Sequence, residues 1–150
     1  MMAVSTSQHI TYKINTTVTV TQFIDVLQSS GLAERRPIDD LICLQGMLDN
    51  ANLTVSAWLG EQLIGIARSV TDFHYACYLS DLAVDKAYQS AGVGKQLQHL
   101  TQQQLGPQTK LILLAAPAAN EYYAHIGFSH NPRCWVLERE RSLMNPSGAN

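Results

Sequence analysis

The stretch Tyr78–Leu105, YLSDLAVDKAYQSAGVGKQLQHLTQQQL, decides the fold of this 150-residue chain. Its apolar run over 79–84 predicts a strand, which a short polar turn follows. Gly92 and Gly94 end that turn, and apolar residues then recur at a helical spacing. The stretch therefore predicts a strand, a turn and a helix that opens through two glycines.

The start of this helix suits an anion. The first helical turn has backbone N–H groups without partners inside the helix, and the aligned peptide dipoles add positive charge there. Gly92 and Gly94 have no Cβ, so the backbone can approach a diphosphate closely. Lys95 adds a positive charge nearby.

Two common phosphate-binding motifs do not fit. A Walker A loop needs glycine at position 89 and serine or threonine at position 96, but both are glutamine. A Rossmann fingerprint places Leu97 where a third small residue belongs. The pattern that fits is [QR]-x-x-G-x-[GA], from Gln89 to Gly94.

This motif and its context resemble the acetyl-CoA-binding region of the GNAT N-acetyltransferase superfamily. The context is a D-L-A-V strand end before it, an amphipathic helix after it, an apolar strand next, and the Tyr-x-x-x-Gly-Phe ending at Phe128. The resemblance covers roughly Ile10 to Arg139. It implies an α/β (α+β) fold with a mixed, mainly antiparallel sheet flanked by helices. One central parallel strand pair should be splayed at the cofactor site.

Local patterns predict the other elements. A capping box at Thr19 begins a helix that ends near Gly31, and a second helix should run from about Ile38 to Leu48. Gly60 fits a tight hairpin turn. Alternating or apolar runs predict strands over 9–14, 53–59, 63–70 and 75–84.

The last third of the chain continues this pattern. The apolar run 110–115 predicts a strand buried on both faces and parallel to the one before the glycine helix. A short helix over 118–126 should be closed by Gly127, and Cys134–Leu137 should form a final strand. We expect one domain over 1–141, a loose end over 1–7 and a disordered tail over 142–150.

Composition limits the partners. A net charge of −2 without a basic block does not suggest nucleic acid, and no apolar run approaches the length of a membrane span. The first ten residues do not read as a secretory signal, and the three cysteines match no metal or disulfide framework. We therefore expect a cytoplasmic protein without a metal.

The resemblance implies acetyl-CoA as the acyl donor. It assigns the diphosphate to the turn and the first helical residues, and the pantetheine arm to a bulged strand edge through the backbone of Leu82 and Val84. Asn120 could hydrogen-bond the cofactor. Many relatives have an asparagine where this chain has Ala116, so that contact is lost or moved. The turn residues concerned are Gln89, Gly92, Val93, Gly94 and Lys95.

The resemblance also suggests catalytic groups. Tyr123 falls where a tyrosine protonates the leaving thiolate, and Tyr122 is second choice. Asp81 is the only carboxylate in the strand before the motif, so it is either a general base or a structural group. Water could equally carry the amine proton. Arg35 or Arg36 either binds an acceptor carboxylate or belongs to a solvated loop.

The predicted function is acetyl-CoA-dependent N-acetylation of a primary amine on a small molecule or a peptide. The alternatives are a CoA-binding sensor or scaffold without catalysis, and a module for ordinary nucleotides. The resemblance is also compatible with a homodimer.

Overall fold

The computed structural model describes residues 9–144 and divides into two compact units, the first ending at Leu114 and the second beginning at Ala115. The loose end predicted over 1–7 and residues 145–150 of the predicted tail lie outside the described residues. A single domain over 1–141 stays a prediction.

The first unit contains a five-stranded sheet whose strands lie side by side in chain order. Strands β1 to β4 pair antiparallel, and β4 pairs with β5 in parallel. This confirms the mixed, mainly antiparallel sheet that the sequence predicts. The strands are β1 Ile10–Ile14, β2 Leu53–Leu59, β3 Gln62–Thr71, β4 Ala76–Val84 and β5 Lys110–Leu113.

Three α-helices belong to this unit: α1 Val20–Ser30, α2 Leu41–Asn50 and α3 Val93–Gln103. The capping box of α1 is confirmed, since the Thr19 hydroxyl accepts from the Gln22 N–H (3.1 Å) and the Gln22 side chain accepts from the Thr19 N–H (2.9 Å). The helix α2 begins later than predicted because the Asp40 carboxylate caps it, accepting from the Cys43 N–H at 2.9 Å. Short 3₁₀ segments cover Leu32–Arg35 and Lys86–Ala91.

The helices cover both faces of the sheet. On one face, α1 and α2 pack through Phe23 and Leu44 against a cluster that includes Trp58. On the other face, Val93 and Leu97 of α3 pack against β2 and β3. Burying apolar side chains on both faces of β2 and β3 is the main stabilisation of the unit.

A glycine brings α3 close to the sheet. A Cβ on Gly65 of β3 would lie 3.1 Å from both Val93 Cγ1 and Leu97 Cδ1, so a side chain there would force α3 away. A Cβ on Gly94 would lie 3.6 Å from Val84 Cγ2. The first turn of α3 therefore lies beside the C-terminal end of β4.

The strand β5 differs from its prediction. It is not buried on both faces, because its side chains alternate and Ile112 is 42 % exposed. The predicted final strand Cys134–Leu137 is wrong too: the segment forms no ladder, and Trp135 is 91 % exposed. Within the described residues β5 thus has one neighbour, and the β4–β5 pair lies at the edge of the sheet rather than at its centre.

The second unit contains α4, Tyr122–His125, preceded by a 3₁₀ turn over Pro117–Ala119. This is shorter than the predicted helix over 118–126. Its end is as predicted: Gly127 has φ +111°, and the Phe128 N–H donates to the Tyr123 carbonyl at 3.0 Å. The Gly127 N–H donates to the Ala124 carbonyl at 3.4 Å, which completes a Schellman motif.

Candidate active site

The strand β4 leaves one edge open over its C-terminal half. Residues Cys77–Leu79 pair with both β3 and β5, but β5 ends at Leu113, opposite Leu79. Within residues 9–144, the strand pairs with β3 alone from Asp81 to Val84. The parallel pair therefore separates at the point where a splayed pair is expected.

A β-bulge lies where the strands separate. Arg68 pairs with Asp81 and Ser69 pairs with Leu79, so Ser80 has no partner on β3. A bulge leaves one residue outside the ladder and bends its strand. The bulge implied by the family resemblance is present at Ser80.

Backbone groups of Leu82 face the open edge. The Asp85 N–H donates to the Ile64 carbonyl at 2.8 Å, so the backbone polar groups of Asp85 point toward β3. The direction of the backbone N–H and C=O groups alternates along an antiparallel strand. Those of Leu82 and Val84 therefore point to the open side. The Val84 carbonyl already accepts from the Gln89 side-chain amide at 3.0 Å. Leu82 therefore offers both a donor and an acceptor, as an added strand requires.

The first turn of α3 is open to an anion. Gly92 is the N-cap with φ +78°, and the Gln96 N–H donates to its carbonyl at 3.1 Å. The N–H groups of Val93, Gly94 and Lys95 precede that first bond and have no intrahelical acceptor. A Cβ on Gly92 would meet no atom within 4 Å, and the Lys95 side chain is exposed. A diphosphate fits these donors.

Asp81 is fully buried between two arginines. Its Oδ1 lies 2.5 Å from Arg36 Nε and its Oδ2 lies 2.5 Å from Arg68 Nε. Both oxygens accept charge-assisted hydrogen bonds, so each already has a partner inside the protein. This geometry supports the structural role of Asp81 and does not support its prediction as the general base.

The guanidinium of Arg36 is also engaged in hydrogen bonds within the protein. Besides Asp81, its guanidinium donates to the Arg35 carbonyl (Nη1, 2.7 Å) and to the Ser80 carbonyl (Nη2, 2.8 Å). These bonds do not support the prediction that Arg36 binds an acceptor carboxylate. The Arg35 side chain is exposed.

Sequence reasoning missed the role of Arg68. This residue is 5 % exposed, and it donates to the Met47 carbonyl (Nη1, 3.0 Å) and to Ser80 Oγ (Nη2, 3.0 Å). A charged residue inside the apolar run of β3 was the available signal, because a buried charge requires a partner.

Tyr123 and Asn120 belong to the second unit. The Tyr123 ring lies edge-on to Phe128, with centroids 5.5 Å apart, and 5.1 Å from the Tyr122 ring. Burial, and to a smaller extent the neighbouring Tyr122, raises the pKa of Tyr123 above 10.0. The phenol thus keeps its proton through neutral and moderately alkaline pH. Asn120 is exposed at the end of the 3₁₀ turn.

Residues 9–144 contain neither a candidate metal cluster nor a helix that could cross a membrane. They contain no group of three or more histidine, cysteine, aspartate or glutamate side chains placed to hold a metal ion. No helix in that range is both long and apolar enough to cross a membrane.

Most of the chain matches a known protein family. The family model of the acetyltransferase (GNAT) domain matches residues 36–133, a span that includes the bulge, the open edge of β4, the glycine turn and α4. The chain belongs to the GNAT acetyltransferase family. A relative of this GNAT protein is an uncharacterized ycf52-like N-acetyltransferase of Prochlorococcus marinus, 29% identical over 123 residues. That alignment covers 78% of this chain and 66% of the relative, so the chain spans just under two thirds of the relative's length.

Solved structures share the fold. A Deinococcus radiodurans protein assigned to the acetyltransferases aligns with a TM-score of 0.70 and 23% identity, covering 93% of this chain and 94% of that one. An aminoglycoside N-acetyltransferase in complex with CoA aligns with a TM-score of 0.68 and 16% identity, covering 93% of this chain and 100% of that one.

Proposed function

We propose that this GNAT protein transfers an acetyl group from acetyl-CoA directly to a primary amine of a small-molecule acceptor. One observation carries the proposal: the open edge of β4 leads into the first turn of α3. The two surfaces adjoin, since Gly94 lies against Val84. The open edge of β4 suits an extended arm that contains amide groups, and the first turn of α3 suits a diphosphate.

The main chain would hold the donor. The N–H groups of Val93, Gly94 and Lys95 face the diphosphate, and Leu82 offers its backbone groups to the pantetheine arm. Gln89 acts by holding the Val84 carbonyl, so its side chain shapes the turn. Bound acetyl-CoA supplies the activated acyl group and a thiolate leaving group.

Proton transfer needs no carboxylate in β4. Asp81, the only carboxylate of that strand, is occupied by Arg36 and Arg68, so we propose that water removes the amine proton. The Tyr123 phenol donates a proton to the leaving sulfur, a role consistent with its raised pKa. Contact of Asn120 with the donor, and of Arg35 with the acceptor, stay predictions.

The site of action is a further part of the proposal. Three free cysteines suit a reducing compartment, and we place the enzyme in the cytoplasm.

Ligand-dependent melting tests the proposal. A ligand at a hundred times its dissociation constant stabilises the folded state by about 2.7 kcal/mol, which raises the melting temperature by several degrees. We expect this rise with acetyl-CoA and CoA but not with ATP, followed by release of CoA thiol when a panel of amines is added.

Other outcomes would select other functions. Binding of CoA without turnover on any amine would favour a sensor or scaffold. A rise with ATP alone would contradict the assignment of the glycine turn to CoA.

A further inference from the structure

We propose that Arg36 is a positioning residue for the acyl-donor site. From the connection between α1 and α2, its guanidinium holds the bulge of β4 in the register that turns the polar groups of Leu82 to the open edge. This inference rests on the proposed function, because it takes that edge as the place of the donor arm.

The bulged residue depends on side chains for its hydrogen bonds. Ser80 has no partner on β3, and buried polar groups without partners are costly. Its carbonyl accepts from Arg36 Nη2 at 2.8 Å, and its hydroxyl accepts from Arg68 Nη2 at 3.0 Å. Arg36 therefore supplies a hydrogen bond to the backbone of a residue that the β3–β4 ladder omits, and Arg68 holds the side chain of the same residue.

Asp81 joins the two arginines. Its buried carboxylate accepts from both Nε groups, and Arg68 is further fixed to α2 through the Met47 carbonyl. Arg68 belongs to β3 itself, whereas Arg36 comes from outside the sheet, 45 positions before Asp81. Loss of Arg36 would leave the Ser80 carbonyl without this donor and would remove one of the two cations that hold Asp81.

The alternative register shows what Arg36 prevents. If Ser80 entered the ladder, Leu82 would move opposite Ile66, and its polar groups would turn toward β3. Asp81 would move opposite Ala67, on the face covered by α3, because a shift of one residue exchanges the faces. The open edge would then lose the donor and acceptor of Leu82.

The experiment compares Arg36→Ala with Arg35→Ala, which removes the same charge from the neighbouring position. CoA affinity is measured by calorimetry well below the melting temperature of each variant, and amide hydrogen exchange is followed over residues 80–84. Arg36→Ala should weaken CoA binding about tenfold, or 1.4 kcal/mol, and accelerate exchange in that segment relative to β1 and β2. Arg35→Ala should change neither quantity.

A second variant covers the case in which Arg36→Ala does not fold. Arg36→Lys keeps a cation beside Asp81, but its single ammonium replaces a fork that now reaches Asp81 and Ser80 together, so CoA binding should be restored only in part. Wild-type affinity in both Arg36 variants, with unchanged exchange over 80–84, would overturn the inference.

The two proposals can fail separately. If the wild type binds no CoA, the proposed function fails, and the exchange contrast between Arg36→Ala and Arg35→Ala still decides whether Arg36 holds the bulge. Accelerated exchange throughout the sheet, without a local excess at 80–84, would reduce Arg36 to a general stabilising residue and reject its positioning role.

Discussion

The two halves of β4 have opposite surroundings. Residues Cys77–Leu79 have a strand on each side, and the Asp72 carboxylate fastens the turn that leads into β4. Residues Ser80–Val84 have a strand on one side only and are held at the bulge by two arginines. One strand thus anchors the sheet with its first half and offers unpaired backbone groups with its second half. Under the proposed function, the donor arm binds where the β4–β5 ladder stops.

The largest expected effect separates the chemical step from cofactor binding. Tyr123→Phe removes the phenol proton but keeps the ring that contacts Phe128, so turnover should fall by about 10²–10⁴-fold while CoA affinity stays the same. Thiol release and calorimetry measure the two quantities. Because burial raises the pKa of Tyr123 above 10.0, its protonated form, and the activity that depends on it, should persist at least up to that pH.

Tyr122→Phe is the matched control for that prediction, and it should retain most of the turnover. If Tyr123→Phe turned over a confirmed acceptor at the wild-type rate, the acid role of Tyr123 would be excluded.

The next largest expected effect concerns the buried Arg68–Asp81 ion pair, which lies where the two halves of β4 meet. Arg68→Ala should lower the free energy of unfolding by about 3–5 kcal/mol, because it breaks a buried charge pair with Asp81. Urea denaturation measures this loss. The exposed Arg35 provides the comparison, since Arg35→Ala should change stability by less than about 0.5 kcal/mol. Equal stability of both variants would show that the Asp81 cluster does not stabilise the fold.

A change at the glycine turn after β4 should weaken binding in addition to the backbone strain that any side chain adds at the positive φ of Gly92. Gly92→Glu places a carboxylate beside the first-turn N–H groups of α3, so CoA affinity should fall by at least about a hundredfold, or 2.7 kcal/mol. Gly60→Glu is the matched control: its φ is +61°, against +78° at Gly92, and its Cβ also meets open space. Calorimetry that found equal CoA affinity in both folded variants would reject the phosphate site.

The smallest expected effect concerns the turn before the closed half. The Asp72 carboxylate accepts from the N–H groups of His74, Tyr75 and Ala76, at 2.8–3.1 Å, which lowers the pKa of Asp72 to about 2. A lowered pKa means that its stabilisation is complete above pH 3.8 and disappears as the pH falls through about 2. Asp72→Ala should therefore melt slightly below the wild type at pH 7, and this difference should narrow as the pH is lowered toward 2.

Asp39→Ala, at another exposed aspartate, provides the background for the Asp72 measurement. CoA affinity should be unchanged in both variants. A difference in melting temperature between Asp72→Ala and the wild type that was as large at pH 2 as at pH 7 would contradict the titration of Asp72 as its cause.

The features that were predicted well from the sequence depend only on residues close to one another along the chain. The capping box at Thr19, the positive φ at Gly60 and the Schellman motif at Gly127 each involve a few adjacent residues, so the local sequence contains all their atoms. The wrong predictions concern burial. The run 110–115 is apolar whether or not a strand covers its second side, and Cys134–Leu137 has strand-forming residues but no ladder partner in the described structure.

The interpretation of Asp81 shows a second limit. Strand position and charge identified this carboxylate, but its role depends on Arg36, which is 45 positions away, and on Arg68 across a hairpin. The pair with Arg68 was accessible in principle, because the two residues are opposite each other in the register. Counting residues outward from the turn gives this pairing only if the bulge at Ser80 is known, and only the structure shows where the bulge lies.

The close approach of α3 at Gly65 limits the substitutions that this packing tolerates. An added Cβ would lie 3.1 Å from both Val93 Cγ1 and Leu97 Cδ1, so one of these side chains or the helix would have to shift. Because Val93 is the first residue of α3, a shift there would also move the main-chain N–H groups of the first helical turn. The position of these donors thus depends on a hydrogen atom, in place of a methyl group, on the neighbouring strand.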